Sequence, residues 1–172
     1  VDAANGDYHL ADWSPCIGTG QDGVDMGAYE GWEEPYPSEI WKVRPDAVIG
    51  GEGKNWDAAF STLDEALQVA YNGDEVWVTA GTYTSGTSSF FVTSGVKLYG
   101  GFVGIEESLE ERNWADNKTI LTVVEGSNNS VVTFRNASEE TVLNGFTITG
   151  GDGNTGGGLN IANASPQITN CI

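Results

Sequence analysis

Two short stretches place oxygen ligands on glycine-rich turns. In GQDGVDMG (residues 20–27) these are Asp22 and Asp25, and in GGDGNTGGG (residues 150–158) they are Asp152 and Asn154. Hard oxygen donors held on tight turns suit calcium, so Asp22, Asp25 and Asp152 are the candidate calcium ligands. Neither stretch has the spacing of an EF-hand loop or of a nonapeptide calcium repeat, and ordinary turn chemistry accounts for both without an ion. The stretch GGDGNTGGGLN also suggests a phosphate cradle. It lacks the Lys-Ser/Thr pair and the helix that complete one, and its local charge is negative. His9, the single histidine, has no serine, cysteine or metal-ligand partner at a recognisable spacing and reads as a structural or surface residue.

The chain that must position these residues has 172 of them, enough for one domain with a core. Seven Lys and Arg stand against 25 Asp and Glu, a formal charge of −18, which repels phosphate backbones and anionic lipid. Nucleic acid is therefore excluded as a partner class. No stretch approaches the roughly 20 apolar residues of a membrane span, so membrane insertion is not expected. The 24 glycines against five prolines call for many tight backbone turns rather than a disordered linker. Cys16 and Cys171 are too few for a disulfide framework and read as small buried apolar residues; a bridge between them, within one chain or between neighbours, is the alternative.

One helix is expected. In STLDEALQVAYNG, Thr62 with Glu65 three residues on forms a capping box. Leu63, Ala66, Leu67 and Ala70 then share a face, and Asn72-Gly73 ends the run. Beyond it the pattern becomes β-prone: EVWVTAG, GVKLYGGF, KTILTVV, TVLNGFTITGG and PQITNCI recur roughly every 20–25 residues, a period that signals stacked repeats. Weaker strand runs, FFV, SVVTF and GLNI, lie between them. Strands this short, separated by Gly, Asn or Ser, favour a coil in which each strand pairs in parallel with its equivalent one turn later. In TVLNGFTITGG the alternation Val142, Asn144, Phe146, Ile148 is expected to face inward, with Leu143 at a bend. The helix stands before EVWV, expected as the first coil strand, and its Leu63/Leu67 face is expected to cap the open coil end.

The run from KNWDAAFSTLDEALQVAYNGDEVWVTAGTYT through GVKLYGGFVGIEE, RNWADNKTIL and TVLNGFTITGGDGNTGGGLNI to SPQITNCI resembles right-handed parallel β-helix domains of the pectin-lyase-like type. More narrowly, it resembles the non-catalytic β-helix domains of large bacterial secreted and surface proteins, related to polymorphic outer-membrane protein repeats. The resemblance covers about residues 51 to 172. DAANGDYHLADWSPCIGTGQDGVDMGAYE resembles the closing segment that follows the final coil in such proteins, with Gly18 where their pattern has Asp. It implies an all-β, right-handed parallel β-helix with a short α-helical N-terminal cap. Residues 1–36 would form the closing segment and linker, residues 37–74 the capping region with its helix, and residues 75–172 the coils, open at the C-terminal end.

That likeness raises an enzymatic alternative, since pectin-lyase-like folds host polysaccharide lyases and hydrolases. Elimination on a uronate needs a base and cationic neutralisation of the carboxylate. Lys97, Arg112, Lys118 and Arg135 are scattered, mostly in loops. Hydrolysis needs paired carboxylates on neighbouring strands, and Glu75 and Glu125 lie only at strand edges. The six tryptophans fall mostly in the capping and linker regions, with Trp32 the best candidate for exposure at an interface. The expectation is therefore a non-catalytic extracellular or cell-surface scaffold without a resident cofactor, joining copies of itself head-to-tail or adjacent repeats of a longer chain. A carbohydrate-binding or polysaccharide-processing module is the alternative. The expected assembly interface unites Tyr8, Leu10, Trp13, Cys16, Ile17 and Tyr29 with Ile168, Cys171 and Ile172.

Overall fold

The computed structural model describes residues 37–172 apart from Thr87 and Thr155. Strand β1 (Ile40–Val43) comes first, followed by helix α1 (Leu63–Val69) and then β2 (Glu75–Thr79), β3 (Gly81–Ser85), β4 (Phe90–Val92) and β5 (Lys97–Phe102). After an excursion carrying a single 3₁₀ turn (Leu109–Glu111) come β6 (Thr119–Val123), β7 (Val132–Arg135), β8 (Val142–Asn144), β9 (Phe146–Ile148), β10 (Leu159–Ala162) and β11 (Gln167–Thr169). All belong to one compact unit, Ser38–Ile172.

The strands form three sheets, ordered β1-β2-β5-β8-β11, β4-β7-β10 and β3-β6-β9. Every pairing is parallel. From β2 onward the chain visits the sheets in a fixed rotation, the five-stranded one, then β3's, then β4's, and back. Strands this short cannot return as hairpins when each partner lies a full rotation away, so parallel pairing is the only outcome. The fold is accordingly mostly β.

Alternation along each strand sends one row of side chains into a shared core. The five-stranded sheet contributes Val76, Val78, Leu98 and Leu143, the second Phe90, Val92, Val132 and Phe134, and the third Tyr83, Leu121 and Phe146, all in one cluster. Helix α1 lies against β1, β2, β3 and β4. Its Leu63 and Ala66 are fully buried in that cluster, and Leu67 is packed against it. The capping box forms: Thr62 Oγ1 accepts from Glu65 N–H, and the Glu65 carboxylate accepts from Thr62 N–H.

Three sequence expectations need correction. IWKV is itself a strand: β1 pairs with β2 from Ile40↔Glu75 to Val43↔Val78, so EVWV is the second strand of its sheet and the helix falls between the two. The buried carboxylate of Asp74 holds this junction, accepting Glu39 N–H, Trp41 Nε1–H and Tyr71 N–H. KTILTVV does not stack on GVKLYGGF; as β6 it pairs with β3, because the excursion over residues 103–118 displaces it along the chain. Leu143 is not at a bend but is the inward residue of β8, in register with Leu98 and fully buried, while Val142 and Asn144 stand half-buried on the other face. The bend is Gly145, at φ +84°, which moves the chain to the next sheet and resets the alternation. A Cβ there would meet the Arg112 guanidinium and the Trp114 Cβ, both at 2.9 Å.

The excursion is fastened by a second buried carboxylate. Glu106 accepts N–H bonds from Val103 (2.7 Å), Gly104 (2.9 Å) and Ile105 (3.0 Å), and its own carbonyl accepts Trp56 Nε1–H at 2.9 Å. Trp56 packs with Phe102 and with Trp77, whose ring stacks on Phe102 at 4.7 Å, so an aromatic cluster separate from the main core sits beneath the excursion. Burial alone would raise the Glu106 pKa, but the backbone N–H bonds outweigh it and the net shift is downward.

Two outcomes are expected from this architecture. Leu143→Ala should cost about 2–5 kcal/mol in urea unfolding, as for other buried leucines; an effect near zero would place Leu143 outside the core. Because the folded pKa of Glu106 is depressed, its contribution is complete above the ordinary Glu value of about 4.3 and is lost as pH falls through the folded pKa. Glu106→Gln should therefore lower the melting temperature at neutral pH and flatten its decline in acid. Superimposable pH profiles for variant and wild type would contradict this.

Candidate functional site: the uncovered strand edges

The two ends of the strand stack differ in what covers them. At the end bearing β1, β3 and β4, helix α1 closes over the core. At the other end β9, β10 and β11 each pair on one side only, with β6, β7 and β8. Their outer backbone edges meet no strand among the described residues.

The inward rows show the same asymmetry. Tyr83 and Leu121 are buried, yet Ile148 at the next position of that row is half-buried. Val92 and Phe134 are fully buried, yet Ile161 in register with them is 46% exposed. Leu98 and Leu143 are fully buried, yet Ile168 is half-buried. Ile172 is 75% exposed, although its backbone N–H and C=O bond to Phe146 and Ile148. Three apolar rows thus run out together at one end, where unpaired edges would otherwise template adventitious pairing.

This end is also nearly uncharged: Asp152 is the single charged residue from Gly145 to Ile172 in a chain of net charge −18. Its outward side is ordered by amides. Asn144 Nδ2–H donates to Thr169 Oγ1 at 2.6 Å, Asn170 Nδ2–H donates to Asn144 Oδ1 at 3.3 Å, and Arg112 Nη2–H donates to that same oxygen at 2.7 Å. Arg112 also donates to Gly100 O at 2.7 Å and lies over the Tyr99 ring, which ties the excursion across neighbouring strands. Burial lowers its pKa, with Tyr99 and Glu75 opposing the shift. Asn136 and Asn163, both at φ near +50°, make equivalent turns after β7 and β10, linked by Ser165 N–H to Ala137 O.

Of the expected interface residues, Ile168, Cys171 and Ile172 come together at this end. Tyr8, Leu10, Trp13, Cys16, Ile17 and Tyr29 lie outside the described residues, as do His9, Trp32, Asp22 and Asp25. The Cys171 Sγ–H faces Thr169 O at 3.3 Å, and burial pushes its pKa up, away from the reactive thiolate. Ile148, Leu159 and Ile161 belong to the same end and were missed, although the alternation in FTIT and LNIA carries them. Leu63 and Leu67 sit at the opposite, helix-covered end. Asp152 is exposed and accepts Asn129 N–H at 3.1 Å. Among the described residues no three His, Cys, Asp or Glu side chains converge in a metal-binding group.

The bases and acids weighed for catalysis are dispersed. Arg135 ends β7 and Lys118 precedes β6, both exposed. Lys97 and Glu75 are register neighbours, but Glu75 accepts the Trp77 indole N–H at 2.8 Å. Glu125 is exposed in the turn after β6. A cavity of about 280 Å³ beside the helix is lined by Ser61, Thr62, Thr82 and Thr84, with Asp64 its one carboxylate. Burial raises the Asp64 pKa, with the neighbouring Glu65 adding to the shift, and no second carboxylate lines the cavity.

No curated protein and no solved structure matches this chain. A family model described as a protein of unknown function, DUF1565, matches residues 49–172, which takes in the helix, every strand from β2 to β11 and the whole uncovered end. The chain belongs to the DUF1565 family.

Proposed function

We propose that this chain is a non-catalytic structural module, a right-handed parallel β-helix whose uncovered end is extended by further parallel coils. The carrying observation is that Ile148, Ile161 and Ile168, in line with three buried apolar rows, are left part-exposed beside the outer edges of β10 and β11, which pair with no strand among the described residues. Handedness follows from a general rule: returns between parallel strands of one sheet are right-handed in about 98% of cases. Likeness to pectin-lyase-like domains and to polymorphic outer-membrane protein repeats supports the same geometry.

The incoming coil supplies main-chain hydrogen bonds to the outer edges of β10 and β11, continues from Ile172 beside β9, and covers the part-exposed isoleucines. It comes from a second copy head-to-tail or from an adjacent repeat, and the chemistry is the same. Acidic sides keep assembled modules from sticking laterally, while the neutral end lets like meet like. The acidic, lysine-poor composition and the family likeness favour an extracellular or cell-surface location. Among the described residues no helix is long and apolar enough to cross a membrane.

Sedimentation and negative-stain microscopy of the full chain test this reading. Oligomers or filaments that persist without sugar are expected, reduced to monomers by Ile168→Asp or by deletion of residues 1–36. A wild-type chain that stays monodisperse and monomeric at high concentration, above all one with saccharide affinity, would favour the carbohydrate-binding alternative instead.

A further inference from the structure

The outward face of the β3-β6-β9 sheet carries a regular array that the stacking function does not use. Thr82, Ile120 and Thr147 are register partners across the three strands. Two residues along, Thr84 pairs with Thr122, and Thr149 continues the row, its N–H bonded to Leu121 O at 3.0 Å. Tyr83, Leu121 and Ile148 between them belong to the core side, so the six named positions share the solvent face. Five are threonine and the sixth is isoleucine.

The array is two-dimensionally periodic. Parallel strands lie about 4.8 Å apart, and same-face residues repeat about every 6.6 Å along each strand. Threonine is stiff at χ1, so its hydroxyl and methyl are held in place before anything binds. The hydroxyls of Thr82, Thr84, Thr147 and Thr149 have no protein partner among the described residues, while Thr122 Oγ1–H donates to Val123 O at 3.4 Å.

The array is also uncharged. The strands GTYTS, TILTV and FTI, with Thr149, contain no Asp, Glu, Lys or Arg, in a chain holding 32 such residues. Asp64 stands at the β3 margin, in the cavity shared with Thr82 and Thr84. β-Propensity favours an isolated threonine on a strand. It does not by itself favour uncharged rows kept in register over three strands.

We propose that this face binds ice. Ice is a neutral ligand whose hydrogen-bonding groups repeat in two dimensions at spacings of this size, and the prism faces of its hexagonal form offer oxygen repeats in the same range. The methyl groups order water over the troughs between the rows, and the hydroxyls join that water to the lattice. Chains that carry charge on this face would hold disordered hydration water instead. The inference is independent of coil extension, which uses the strand edges and leaves this face free.

The test uses the full chain in nanolitre osmometry and ice-recrystallisation assays. Faceted ice crystals and a gap between freezing and melting are expected for the wild type. Thr82→Lys and Thr147→Lys should abolish both while keeping the circular-dichroism melting temperature, and Gln68→Lys on the exposed helix surface should retain them. The proposal is overturned if wild-type chain gives the unfaceted growth of buffer, or if a folded Thr82→Lys or Thr147→Lys variant keeps full activity. Binding to an insoluble polysaccharide without any effect on ice would likewise overturn it.

Discussion

Everything in this molecule depends on one constraint: each strand finds its backbone partner a full rotation away in the chain, never in the strand next to it. A run of three to six residues has too few hydrogen bonds to persist alone. It survives because the strands before and after it hold both of its edges, and because its inward side chain lands on the equivalent side chain of its neighbour. The rows Val92–Phe134–Ile161 and Leu98–Leu143–Ile168 are therefore the stabilising units, and the strands are where those rows are sampled. Such a stack is quasi-one-dimensional, and its weakest places are its ends.

The two ends solve that problem differently. At one, an amphipathic helix with a complete capping box covers the core, and the buried Asp74 carboxylate secures the chain beside it with three N–H bonds. At the other, apolar side chains are left part-covered in a segment almost free of charge. The buried carboxylates follow a common logic. Both carboxylates accept main-chain N–H groups, and Asp74 the Trp41 indole N–H as well, rather than pairing with cations, so both serve as local fasteners for the places where the chain leaves the regular rotation.

Much of this was legible before any coordinates. The helix, its Thr62–Glu65 box and its buried face were written in local spacing, as were the β-prone runs and their parallel stacking. Register was not. GVKLYGGF and KTILTVV have similar composition and lie one nominal period apart, yet the excursion sends them to different sheets. Leu143 was misplaced because Gly145 splits one apparent run into two strands, and alternation cannot be counted across a left-handed bend. IWKV looked like an isolated apolar stretch because its partner β2 lies beyond the helix. The threonine rows were visible only as separate T-x-T fragments until the pairing Thr82–Ile120–Thr147 aligned them. Asp74 and Glu106, read as two acids among many, owe their burial to N–H groups that no composition reveals.

The central proposal, that further parallel coils extend the end formed by β9, β10 and β11, is tested most directly by hydrogen–deuterium exchange of the full chain across a concentration series. The account predicts that amides in β9, β10 and β11 exchange faster than those in β5 and β8 in dilute solution and become selectively protected as concentration rises. Exchange in these three strands that is as slow as in β5 and β8 at every concentration, or fast and unchanged by concentration, would contradict it.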